Sequence, residues 1–185
     1  MPGDISMSTL ITSTVQGVQN IKYDASTTAI TVDSGGRVKL PANPMFAAYR
    51  VSNYAVGGSY TEIVFDQEDF DVGGNYNVSN GRFTAPVAGI YEFRLATIDM
   101  AHNTCVRWRV RVNGADQAGG VREHRKDQTG HGNANSYSVN SEYTSIIQLS
   151  AGDYVSNWVL ADSGTHTAYG STSYRYNYFM GKLLV

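Results

Sequence analysis

Residues 81–93 read GRFTAPVAGIYEF, and within that span a turn, the start of a strand, a second turn and a half-buried strand follow one another. Gly81, Pro86 and Gly89 supply the punctuation, and Tyr91 and Phe93 fall two apart, the spacing that sends both to one face of a strand. Outward from this stretch the same period-2 alternation recurs many times, whereas no segment carries a sustained apolar 3.6-residue period with caps. The chain therefore reads as all-β. Its 13 Tyr, 19 Gly and only 4 Pro suit strands joined by polar turns.

Strands are expected near 45–52, 61–66, 74–78, 82–85, 89–98, 104–112, 116–123, 137–149, 153–160 and 173–185, the spacing of a sandwich or barrel. Two antiparallel sheets packed face to face are the simplest outcome. Asn80-Gly81 and Asn113-Gly114 are the strongest hairpin signals, because both central residues of a type I′ turn need positive φ. Upstream, TAITVDSGGRVKL (28–40) alternates on either side of Ser34-Gly35-Gly36 as a small hairpin, and IKYD (21–24) is another short extended piece. The closely spaced Pro41 and Pro44 mark a boundary between residues 1–43 and residues 44–185. The first part is too short to hold a core of its own, which predicts that it docks, as an anchoring or assembly segment, on something larger.

With 185 residues, 42% of them hydrophobic, the chain can bury one good core. A formal net charge of −2 gives no attraction to nucleic acid or to an anionic membrane, and no apolar run is long enough to insert in a bilayer. MPGDISMSTLITSTVQG at the start has neither the basic region nor the apolar stretch of a secretory leader. One cysteine, Cys105, excludes an intrachain disulfide framework and is read as an inert sheet residue.

Three pieces, NYNVSNGRFTAPVAGIYEFRL (75–95), IIQLSAGDYV (146–155) and YFMGKLLV (178–185), fall in an order and spacing that resembles the complement one-q globular head of the tumour necrosis factor-like jelly-roll superfamily. The resemblance covers about residues 44–185. The matching positions are Tyr76, Gly81, Phe83, Ala85, Pro86, Gly89, Tyr91 and Phe93, then Leu149, Gly152 and Asp153, and last Phe179, Gly181 and Leu183. The resemblance implies a two-sheet antiparallel jelly-roll sandwich of about ten strands that forms a homotrimer and is not an enzyme. No collagen-like Gly-X-Y stalk is present. Instead residues 8–40 are Ser/Thr-rich and look like the amino-terminal segments of tailed-bacteriophage structural proteins that carry such a head. Some relatives bind calcium near the trimer axis, so calcium is implied by resemblance only. No motif carries its ligands over; the residues themselves imply no metal and no cofactor.

Three groups of residues are candidates for function. In STSYRYNYFMGKLLV (171–185), Phe179, Leu183 and Val185 share one parity, expected to face the core, and Tyr174, Tyr176 and Tyr178 share the other. The resemblance places that second face at the trimer axis; the competing reading is an aromatic ladder within one chain. In TCVRWRVRVNG (104–114), Arg107, Arg109 and Arg111 form one face, able either to grip the oxyanions of a glycan bidentately or to pair with acidic neighbours such as those of FDQEDFD (65–71). The longest polar stretch, GGVREHRKDQTGHGNANS (119–136), brings Arg122, His124, Arg125, Lys126 and His131 together as a solvated loop, a receptor or partner loop, or a weak metal site at His124 and His131. No catalytic constellation is present.

These readings converge on a non-enzymatic virion structural protein of a tailed phage. In this expectation it is made in the host cytoplasm, displayed as a homotrimer on the particle surface, and attached to other virion proteins through residues 1–43. It would serve as a capsid decoration protein or a short fibre or knob, with host-surface glycan adhesion by the head. The alternative is a secreted bacterial lectin-like or complement-like trimeric binding module.

Overall fold

The structure is a computed structural model that describes residues 19–101, 105–116, 123–127, 137–162 and 166–185. It divides into two compact units, Met1–Ala42 and Asn43–Val185. Among the described residues every regular element is a strand, and no helix is long and apolar enough to cross a membrane. In the first unit β1 (Asn20–Lys22), β2 (Thr28–Val32) and β3 (Val38–Lys39) form a three-stranded antiparallel sheet in that order.

The second unit is a jelly-roll sandwich. One layer runs β7 (Gln67–Val72), β4 (Met45–Tyr49), β16 (Tyr178–Leu183), β10 (Gly89–Ala101) and β13 (Tyr137–Leu149). The other runs β8 (Tyr76–Asn77), β9 (Arg82–Thr84), β14 (Tyr154–Ala161), β11 (Cys105–Val112) and β12 (Glu123–Asp127). Three short strands extend these ten: β5 (Tyr54–Val56) pairs with β15 (His166–Ala168), which continues alongside β10 beyond β16, and β6 (Thr61–Ile63) pairs with β14. All pairings are antiparallel, so each strand sends alternate residues into the space between the layers.

That space is filled mainly by aromatics. Phe46 stacks on Tyr76 and Phe83 at ring separations of 4.7 and 5.0 Å, Phe93 stacks on Phe179 at 5.8 Å, and Trp108 is fully buried in the opposite layer. Burying such a ring contributes about 4 kcal/mol gross. The stretch 81–93 does what its punctuation predicts: Phe83, Tyr91 and Phe93 all enter the core, and Pro86 lies in the turn region between β9 and β10.

Several elements differ from the sequence reading. The strand β7 is acidic and lies at a sheet edge, where charge protects against edge-to-edge pairing, so its alternation is masked. β5 and β15, three residues each, are too short to carry a periodic signal. Of the strand expected at 116–123, residues 117–122 lie outside the described residues, and Glu123 opens β12. The Asn113-Gly114 hairpin is a two-residue turn with φ of 54° and 75°, closed by reciprocal bonds between Val112 and Ala115. At Asn80-Gly81 only Gly81 has positive φ. The loop there spans four residues between paired Asn77 and Arg82, because Asn77 Oδ1 accepts the Ser79 N–H and the Gly81 N–H reaches the Asn77 carbonyl.

Candidate functional site

The last strand is shorter than its alternation suggests. β16 starts at Tyr178, so Tyr174 and Tyr176 lie in the irregular segment before it, where the Ser171 Oγ caps the Ser173 and Tyr174 N–H groups. The strand is started by Asn177, a fully buried side chain whose Oδ1 accepts the Ile98 N–H and whose Nδ2 donates to the carbonyls of Ile98 and Tyr169. Nothing in the sequence around Asn177 marks it, since one Asn in a polar run has no periodicity. Phe179 faces the core and Leu183 packs against it as expected, and Gly181 lies against the core rings between them, but Val185 is 77% exposed. Its carbonyl accepts the Ile90 N–H, which holds the chain end along β10 and turns the side chain outward.

On the other parity, Tyr178, Met180 and Lys182 face away from the core, and the register continues that face across the whole layer. Phe70, Ala47, Met180, Arg94 and Thr144 form one row across five strands; Val72, Met45, Lys182, Glu92 and Ile146 form the next. Phe70 and Ile146 are 44% and 56% exposed, and Met45, Phe70 and Met180 line a shallow groove whose floor includes Gly181. The charges among them are paired within the chain. Lys182 Nζ lies 3.2 Å from Glu92 Oε2, and Glu142 Oε1 takes both Arg94 and the Tyr178 hydroxyl, the latter at 3.1 Å. Burial, and then the Glu142 carboxylate, hold the Tyr178 phenol above its ordinary value, so it remains a neutral donor. Arg175 closes one end of the face, gripping Asp69 with two nitrogens and lying 3.5 Å over the Tyr49 ring. An apolar face whose charges already have partners can be covered without stranding a charge. Of the three tyrosines Tyr178 lies within it, while Tyr174 stacks on Tyr176 at 5.3 Å beside it.

The arginines of β11 lie on the opposite side of the head. Arg107 pairs with Asp162 at 2.8 Å, and Arg109 and Arg111 share Asp116 at 2.9 Å each. Arg109 also stacks 4.0 Å over Tyr60, and Arg111 4.5 Å over Trp158. Asp116 and Asp162 are thus acidic partners of this ladder among the described residues. The carboxylates of FDQEDFD serve elsewhere: Asp66 takes the Val51 N–H, Asp69 Arg175, and Asp71 the Tyr76 N–H. His124, Arg125 and Lys126 belong to β12 and not to a loop; Arg122 and His131 lie outside the described residues. Cys105 is buried at the start of β11. Among the described residues no three His, Cys, Asp or Glu side chains converge as metal ligands.

Residues 45–184 match the C1q domain. Solved structures with a similar fold include the globular domain of zebrafish complement 1qA, with a TM-score of 0.56 and 16% identity over 77% of this chain and 98% of that one. Murine APRIL aligns at a TM-score of 0.55 and 11% identity over 77% and 99%. The Eiger tumour necrosis factor from S. frugiperda aligns at 0.51 and 12% over 77% and 94%. No curated protein matches the sequence closely enough to count as a relative.

Proposed function

The chain belongs to the C1q domain family, and on that premise we propose that it is a non-enzymatic homotrimeric binding module whose assembly face is the outer surface of the layer holding β16. Domains of this family are generally binding modules, and its homologues form homotrimers. The observation that carries the reading is the face itself: Met45, Phe70, Met180 and Ile146 aligned across strands, with the interspersed Glu92, Lys182, Arg94 and Glu142 already paired. Tyr178 belongs to the same surface, and Tyr174 and Tyr176 widen it at one end. Light scattering on the full chain tests this. Three times 20.1 kDa is the expected mass, and a monomer at working concentrations would reject it.

The finer role we propose is that of a tailed-phage virion protein, a capsid decoration trimer or short knob on the particle surface, anchored to other virion proteins through residues 1–43. What supports it is the Ser/Thr-rich segment that stands where vertebrate relatives have a collagen-like stalk. In this role the β11 side of the head, with Tyr60 and Trp158 clamped by guanidinium groups, is turned outward for adhesion to a host-surface glycan. Antibody against the head should label particles: many copies over the shell for a decoration protein, label at the tail for a knob. Particles carrying no label would remove the virion role.

A further inference from the structure

The three-stranded sheet of the first unit is amphipathic to a degree that its size does not require. Residues opposed across an antiparallel pair share a face. The register sets Ile21 opposite Ile30 and Val32 opposite Val38, while Asn20, Thr31 and Lys39 line up on the reverse. There the Thr31 hydroxyl donates to Asn20 Oδ1 at 3.0 Å. Both turns are locked locally, by Asp24 accepting from Ser26 and Thr27 and by Asp33 accepting from Gly35 and Arg37. Lys22, past a register irregularity, turns its ammonium to the Ala25 carbonyl. Yet no side chain from 19 to 40 is buried, and Ile21 and Val38 are 53% and 65% exposed. Ile30 and Val32 are half-buried between them, and a small sheet with so partly covered an aliphatic face is marginal in water and calls for a cover.

We propose that this cover is the same face of two sister chains, three sheets closing their aliphatic sides around a common axis. The inference rests on the homotrimer reading above. Two further observations favour sister chains as the occupant. The core of the face is four β-branched side chains with no charge among them, so identical copies meet without like-charge repulsion and with little rotamer entropy to lose. The tether is also short. Only residues 40–44 separate β3 from β4, a reach of roughly 18 Å, and β4 itself carries Met45 of the assembly face. Three associated heads therefore hold three copies of this sheet at high effective concentration.

The experiment uses the full chain with one cysteine added beside the buried Cys105, on each strand of the aliphatic side, Ile21→Cys, Ile30→Cys and Val38→Cys, and on the reverse side, Thr31→Cys and Lys39→Cys, with the unsubstituted chain as the control for Cys105. Mild oxidation is read on non-reducing gels, beside light-scattering mass and the rate of maleimide labelling. The expected result is a trimeric mass in all variants, with at least one aliphatic-side cysteine giving covalent dimers several-fold more than either reverse-side cysteine. A trimeric mass with no such excess overturns the inference while the head trimer stands. In that event, fast labelling of the aliphatic-side cysteines means the face is open to a different partner, and slow labelling means another segment covers it. A monomeric mass in the unsubstituted chain rejects the homotrimer itself, and this inference with it.

Discussion

At the scale of single residues, the head depends on side chains that do one job no neighbour can take over. Gly181 lies in β16 where a Cβ would fall 2.6 Å from Phe93 Cδ1 and 2.7 Å from Phe46 Cε1, so Gly181→Ala must displace two core rings. Overpacking of this kind costs about 1–3 kcal/mol, expected as a lower melting temperature in a calorimetric scan. Asn177 bonds both backbone groups of Ile98, whose carbonyl also accepts the Tyr169 N–H; Asn177→Ala removes its bond to the part-buried Ile98 N–H and should cost about 2 kcal/mol by denaturant titration. Asp153 bridges the Asn113 amide and the Ser150 N–H, and these bonds hold its carboxyl below the ordinary value of 3.8. A carboxyl depressed in the fold contributes stability that is whole above its unfolded value and disappears as pH falls through the folded one. The melting temperature of Asp153→Asn should thus lose part of the decline that the unsubstituted chain shows between roughly pH 5 and pH 2; an identical pH profile would count against that role.

At the scale of elements, β16 carries both core residues and the proposed assembly face, and its two parities can be tested apart. Met180 faces outward beside Ala47 and Arg94, away from the aromatic core. Met180→Glu should therefore leave the fold intact by circular dichroism while lowering the solution mass towards one chain, because a carboxylate buried without a partner costs several kcal/mol. A trimer that survives this change would move the interface elsewhere. The strands legible in the sequence were those with one apolar side: β10, β11 and β13 alternate along their described side chains and enter the core on one parity. β7 was illegible for the opposite reason, as its charges serve Arg175 and the Tyr76 backbone at an edge. The tyrosine alternation at 174–178 overstated β16, because alternation continues through any polar run and only the Asn177 clamp decides where pairing begins.

At the scale of the whole molecule, a trimer mass that persists when residues 1–43 are removed would make the head self-sufficient in assembly, as the paired charges on its face predict; loss of the trimer on removal would transfer that task to the first unit. What the sequence determined by itself was the all-β class, the core aromatics Phe83, Tyr91, Phe93 and Phe179 and the Asn113-Gly114 turn, because these depend on local turn chemistry and period-2 burial, while the family was legible only through its resemblance in three motif stretches. Only the tertiary structure decided which charges have partners. The Arg107, Arg109 and Arg111 ladder reads in sequence either as an anion-binding face or as one paired with acidic neighbours such as those of residues 65–71, and only the strand pairing and the turn bring Asp162 and Asp116 beside it as the carboxylates it pairs with. The face proposed for assembly was likewise invisible in any one strand. Phe70, Ala47, Met180 and Arg94 are distant in sequence and become one surface through the register of four strands, a long-range geometry that no local pattern encodes.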